Sequence, residues 1–316
     1  MMQWDRRSWA ILVMMVGCSG PPPAQLENGA GSFEPTTKQT TATTLTGPFL
    51  GQSPPTDKAQ VFAPGLVSRK GRYEYALSFS PNGDQVLFSA MGSDQKTELM
   101  YARRVDDRWT DVAPIQLSQG ARKEEMEAFF CPDGKTIFFA PYDEGMDVRI
   151  WRVETGPDGF GTAQELQSPV NQAAAFYPTC ASSGALYYSN IIERKIYRAE
   201  PGDGRYASTE DTGIAGAGHF YIAPDEQYAL IDSRREGGFG DSDIYLVRKN
   251  GDGSWAESIN LGAQVNTHFS ETCPSLSPDG KYVFFSRYNE PNEISDIYWV
   301  SSDVIAGHFL RRIDGR

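Results

Sequence analysis

Three glutamates stand seven residues ahead of the proline of a recurring turn. Glu74 precedes Ser80-Pro81-Asn82-Gly83, Glu125 precedes Cys131-Pro132-Asp133-Gly134, and Glu271 precedes Ser277-Pro278-Asp279-Gly280. Two further turns, Ser182-Ser183-Gly184 and Ala223-Pro224-Asp225-Glu226, carry Ala175 and Ala217 at the same position. Carboxylates gathered in one place raise one another's pKa, chelate a hard cation such as Ca2+, or divide acid and base work on a glycan. The plainer use is that each glutamate caps a turn or bonds the neighbouring repeat.

Two histidines lie on loops of the same kind, His219 in GAGHFYIAPDE and His268 in VNTHFSET. With Glu271 they would make a minimal donor set for a divalent metal. No HxxxH or HxH spacing accompanies them, so polar loop histidines are expected and no metal or other cofactor is assigned. Arg234, Arg235 and Arg287 follow the second apolar segment of their repeats, where clustered guanidinium groups would grip a ligand carboxylate. The binding set expected at one mouth is therefore Glu74, Glu125, Tyr177, His219, Glu271, Arg234 and Arg287. No residue is assigned a catalytic role, Glu74, Glu125 and Glu271 being the only candidates. Asp147, Asp241, Asp243 and Asp296 precede third strands and are expected to fix the turns into them. GGFG at 237–240 reads as a turn with two or more positive-φ positions; no helix follows it, as phosphate binding would require.

The elements that must position these groups recur with a period of about fifty residues. Each turn opens into an apolar segment: Val86-Leu87-Phe88, Ile137-Phe138-Phe139, Leu186-Tyr187-Tyr188, Ala229-Leu230-Ile231 and Val283-Phe284-Phe285. A third segment carries an aromatic at a fixed place, as in Ile150-Trp151, Ile244-Tyr245 and Ile297-Tyr298. A fourth, typified by DVAPIQL and AESINL, is weak in the third repeat (STEDTG) and missing from the fifth. Short strands at this spacing, with no 3.6-residue period, predict a five-bladed β-propeller of four-stranded blades. The orphan segment Val61–Val67 supplies the missing strand, so that the N-terminus completes the last blade and leaves no open edge.

The turns and the segments AFYPTCASSGALYYS, FYIAPDEQYALIDSRREGGFGDSDIYLV and NLGAQVNTHFSETCPSLSPDGKYVFFSRYNEPNEISDIYWV resemble the TolB-like propeller repeats of bacterial envelope proteins. The resemblance covers about Gln60 to Ile305. It implies the fold and an envelope setting, and brings no catalytic motif that maps onto this chain.

The N-terminus reads as an address. Arg6 and Arg7 precede an apolar run, Ser8–Gly17, too short to span a bilayer comfortably. Met15-Val16-Gly17-Cys18 resembles the lipobox of bacterial lipoproteins, which implies lipidation of Cys18 and, with Ser19 following, an outer-membrane location. The expected organisation is a signal peptide over 1–17, a lipidated disordered stalk over 18–58, a propeller over 59–305 and a tail over 306–316. Cys131, Cys180 and Cys273 are expected as buried free thiols. The net charge of −12 argues against nucleic acid and anionic membrane surfaces as partners. The expectation is a monomeric, lipid-anchored, non-catalytic module that binds an envelope protein or glycan. The alternative is a saccharide-active hydrolase or lyase using the mouth acids.

Overall fold

The computed structural model describes residues 45–144, 147–156, 159–167, 169–190, 192–202, 205–288 and 294–310. The signal segment and Cys18 lie outside the described residues.

Five repeats become five antiparallel blades, blades 5 and 1 being joined into one sheet by a single parallel pairing of Tyr73 with Ser295. Blade 1 is Tyr73–Phe79, Gln85–Met91, Thr97–Val105 and Ala113–Ile115, and blade 2 is Glu124–Phe130, Thr136–Tyr142, Trp151–Gly156 and Gln164–Glu165. Blade 3 is Ala175–Cys180, Leu186–Asn190, Lys195–Pro201 and Tyr206–Ala215, and blade 4 is Ala217–Ile222, Tyr228–Ser233, Asp243–Arg248 and Ile259–Asn260. Blade 5 takes Ser270–Leu276, Tyr282–Tyr288 and Ser295–Ser301 from the C-terminal end, and its outermost strand is Gln60–Val61, paired antiparallel with Trp299 and Tyr298. The ring is thus closed by the N-terminal strand. The strand is shorter than the 61–67 segment suggested: Phe62 N–H still donates to Ile297 O, but from Ala63 the chain turns, Ala63 itself adopting φ 43°.

The turn chemistry follows the residue types. Gly83, Gly134, Gly184 and Gly280 take left-handed φ at equivalent positions, and Glu226 takes the same conformation at 57°. The Glu226 side chain compensates, accepting from Ser183 Oγ, Tyr187 OH and Arg198 Nε of blade 3, so the one non-glycine turn also staples two blades.

The core consists of interfaces between neighbouring blades, filled by the aromatic second and third strands. At the closure, Phe62 packs on Phe79, Phe284 and Trp299, all buried, joining blades 5 and 1. The expected stalk ends earlier than residue 58. Thr46 bridges Arg108, Trp109 Nε1 donates to Gly47 O, and Leu50 is buried in the same cluster as Phe62 and Trp299. Apolar Leu45, Phe49 and Leu50, set in a polar segment, account for this docking. At the other end Asp303–Leu310 forms a helix in which Val304 and Ile305 are buried.

Two further expectations are corrected. The weak fourth segment of the third repeat lies in the longest strand among the described residues, Tyr206–Ala215, because its pairing with Lys195–Pro201 depends on backbone bonds and not on apolar side chains. Cys131 and Cys180 form a disulfide with Cα atoms 5.3 Å apart, joining the ends of the inner strands of blades 2 and 3; Cys273 is the free, buried thiol. Cys180 falls one position earlier in its repeat than Cys131, an offset that adjacency of the two strand ends absorbs.

Candidate functional site

The three repeat glutamates do not meet. Each is almost fully buried and faces its own entry loop. Glu125 accepts the amides of Leu117 and Ser118 at 2.7 and 2.8 Å. Glu271 accepts Thr267 N and Oγ1 and pairs with Arg287 Nε at 2.7 Å. Glu74 Oε1 accepts Arg69 N and Arg72 Nε. Burial raises the Glu271 carboxyl and pushes Glu74 up to about 8, against the pull of Arg72. These are staples holding the loop that feeds each inner strand, the plainer of the two uses.

What turns the chain toward the channel lies two residues further on. In every blade the inner strand spends three residues where its partner spends two: between Tyr75 and Ser78, Met126 and Phe129, Phe176 and Thr179, Ala217 and Phe220, and Thr272 and Ser275. A bulge inverts the pleat, so a side chain at the extra residue leaves the face its sequence parity would assign. The residues there are Ala76, Glu127, Tyr177, His219 and Cys273. Four carry left-handed φ, at 53°, 56°, 48° and 52° for Ala76, Glu127, Tyr177 and Cys273. Such a conformation is costly away from glycine and persists only where surrounding structure imposes it.

These side chains converge. Tyr177 OH of blade 3 donates to Pro274 O of blade 5, skipping blade 4 and so crossing the axis. His219 Nε2 lies 3.8 Å from Glu127 Oε1, linking blade 4 to blade 2, and the Tyr177 and His219 rings meet edge to face at 4.6 Å. Asp232, from the second strand of blade 4, completes the group. Its Oδ2 is 2.5 Å from His219 Nδ1 and accepts Cys273 N–H, while Oδ1 accepts His219 N–H. Glu127 Oε2 accepts Tyr177 N–H, and Oε1 has no hydrogen-bond partner although it is buried. His219, Asp232 and Cys273 place a donor atom each within 4.8 Å of one another.

The electrostatics follow from burial. Desolvation pushes Glu127 up to about 7 and raises the Cys273 thiol, with His219 opposing both. For His219, burial favours the neutral ring but the Asp232 carboxylate outweighs it, so the imidazole is held well above its ordinary range. A fully buried Tyr177 stays neutral.

Of the expected binding residues, Tyr177 and His219 belong to this cluster. Glu74, Glu125, Glu271 and Arg287 belong to the loop staples, Arg287 also lying over the Tyr298 ring at 4.1 Å. Arg234 is exposed and pairs loosely with Asp241 at 3.7 Å. His268 is exposed beside Phe269, away from His219, so the two histidines do not share a metal with Glu271. Asp243 does fix its turn, accepting Phe239 N and Gly240 N. Within GGFG only Gly237 has positive φ; Gly240 is needed because a Cβ there would fall 1.7 Å from Phe269 O. Glu127, Asp232 and Cys273 escaped the sequence reading. The signal was in the same alignment, at the position five before the turn proline, where Ala, Glu, Tyr, His and Cys follow one another.

No family model and no curated protein matches the chain. Among solved structures it is similar to a protein assigned as TolB from Agrobacterium tumefaciens, with TM-score 0.51 and 18% identity over 73% of this chain and 78% of that one. It is also similar to TolB from Acinetobacter baumannii, with TM-score 0.45 and 14% identity over 71% of this chain and 54% of that one. A gluconolactonase from Xanthomonas campestris matches with TM-score 0.46 and 9% identity over 76% and 89%. At such identities the likeness concerns the fold, which is that of a TolB-like β-propeller.

Proposed function

We propose that this TolB-like propeller is a non-catalytic binding module, tethered through a lipid on Cys18 outside the cytoplasm, that docks an envelope protein on one face of the ring. The observation that carries the reading is the placement of exposed apolar side chains. Ile192, Phe239 and Ile294 are 64%, 48% and 37% exposed, and lie between the second and third strands of blades 3, 4 and 5. Because strands alternate in direction, those connections all leave on the same face, the one where the inner strands begin. Large apolar groups exposed on one rim, with the charged Arg234, Arg235 and Asp241 on the same loop as Phe239, favour a protein partner over a glycan. Glutamates stapled to backbone amides give that rim fixed loops, which lowers the ordering cost of docking.

The test is capture from the envelope fraction by the full chain, with the double variant Ile192→Asp, Phe239→Asp as probe. A partner should be retained by the parent and by Val105→Asp, whose substitution lies at the third-to-fourth connection of blade 1 on the opposite face, and lost by the double variant with unchanged melting temperature. Equal capture by parent and double variant would sink the assignment of this face.

A further inference from the structure

We propose that the side chains closing the channel form a zinc site, with His219, Cys273 and Glu127 as ligands and Asp232 as the carboxylate that orients the imidazole. Three observations combine. A thiol, an imidazole and a carboxylate, those of Cys273, His219 and Asp232, each place a donor atom within 4.8 Å of the others, and Glu127 of a third blade brings Oε1 to 3.8 Å from His219 Nε2. Glu127 Oε1 is a buried acceptor aimed at the histidine with no hydrogen-bond donor of its own. Asp232 already accepts two backbone amides and faces His219 Nδ1. That is the arrangement by which an outer carboxylate fixes the tautomer of a ligating histidine, leaving Nε2 for the metal.

The donor set selects the ion. One nitrogen, one sulfur and one oxygen suit borderline Zn2+ and not Ca2+ or Mg2+, which demand oxygen. Two ligands at about 2.0–2.1 Å on a tetrahedral ion lie about 3.3 Å apart, so the Glu127–His219 separation needs to close by only about half an ångström. Three protein ligands leave a fourth position, for water or a small exogenous donor. Because the group is buried, loading is expected during folding.

The experiment refolds the full chain with Zn2+ alone, removes free metal and measures bound metal, then repeats with Co2+ and records the optical spectrum. The expected result is one metal per chain, a raised melting temperature, and a thiolate-to-cobalt charge-transfer band. Cys273→Ser should lose the band, Glu127→Gln should weaken binding by about 10–100-fold, and Asp232→Asn should do the same through the outer shell. His268→Ala, on the exposed loop, should change nothing. Circular dichroism of each metal-free variant separates loss of ligand from loss of fold, and Glu127→Gln, which keeps shape and removes charge, decides the matter if Cys273→Ser does not fold. No bound metal after refolding, or binding that Glu127→Gln and Cys273→Ser leave unaltered, overturns the proposal.

Discussion

Glu74, Glu125 and Glu271 occupy one alignment column, and each answers the same local need, since amides in a buried entry loop require an acceptor. Glu125→Ala orphans the amides of Leu117 and Ser118, and a loss of about 2–4 kcal/mol is expected in urea denaturation. A loss under about 0.5 kcal/mol would mean water replaces the carboxylate without cost. Glu74 adds a pH signature. Its folded pKa of about 8 exceeds the ordinary 4.5, so the folded chain holds this proton more tightly than the unfolded chain. Its contribution is complete below about pH 4.5 and is lost as pH rises through about 8, amounting to a few kcal/mol. The stability of Glu74→Gln relative to the parent should therefore climb from pH 5 to 8, and a flat difference would refute the assignment.

Among the elements, the closing strand is one of several with only two residues, and its position is the most consequential. Gln60–Val61 makes only two ladder positions, so its anchorage rests on Phe62, which is fully buried among Phe79, Phe284 and Trp299. Phe62→Ala should cost about 3–5 kcal/mol, and hydrogen exchange should quicken first at the Ser295–Ser301 amides. Protection lost equally in all blades would argue that closure and ring fold as one unit. The bulges are the other decisive element, because they turn Glu127, Tyr177, His219 and Cys273 away from the face on which Glu125 and Glu271 sit.

For the molecule as a whole, the ring depends on contacts between blades, and the Cys131–Cys180 bond ties two of them across 49 residues of sequence. The double variant Cys131→Ser, Cys180→Ser should lose about 2–4 kcal/mol, and reductant should shift the parent to the same midpoint. An unmoved parent midpoint in reductant would show that the bond is not formed in solution. The pair also fits the extracytoplasmic setting of the proposed function, where thiols oxidise.

The repeat period, the strand-forming apolar segments, the turn glycines and the displaced N-terminal strand were legible in the sequence because they are local: turn type and side-chain period depend on a few adjacent residues. Five blades and their closure followed from those alone. The channel cluster was not legible in the same way. A strand read at period two puts Glu125 and Glu127 on one face, and only the bulge between paired strands separates them. Asp232 belongs to a different strand from His219, and Cys180 reaches Cys131 across a blade boundary, so neither pairing leaves a trace in local spacing. The docking of Leu45–Leu50 was hidden for a related reason, since a few apolar residues in a polar segment become an anchor only when a groove between two blades is there to receive them. Residue type and spacing determined the blades, and register and inter-blade packing, which are long-range, decided which side chains meet at the axis.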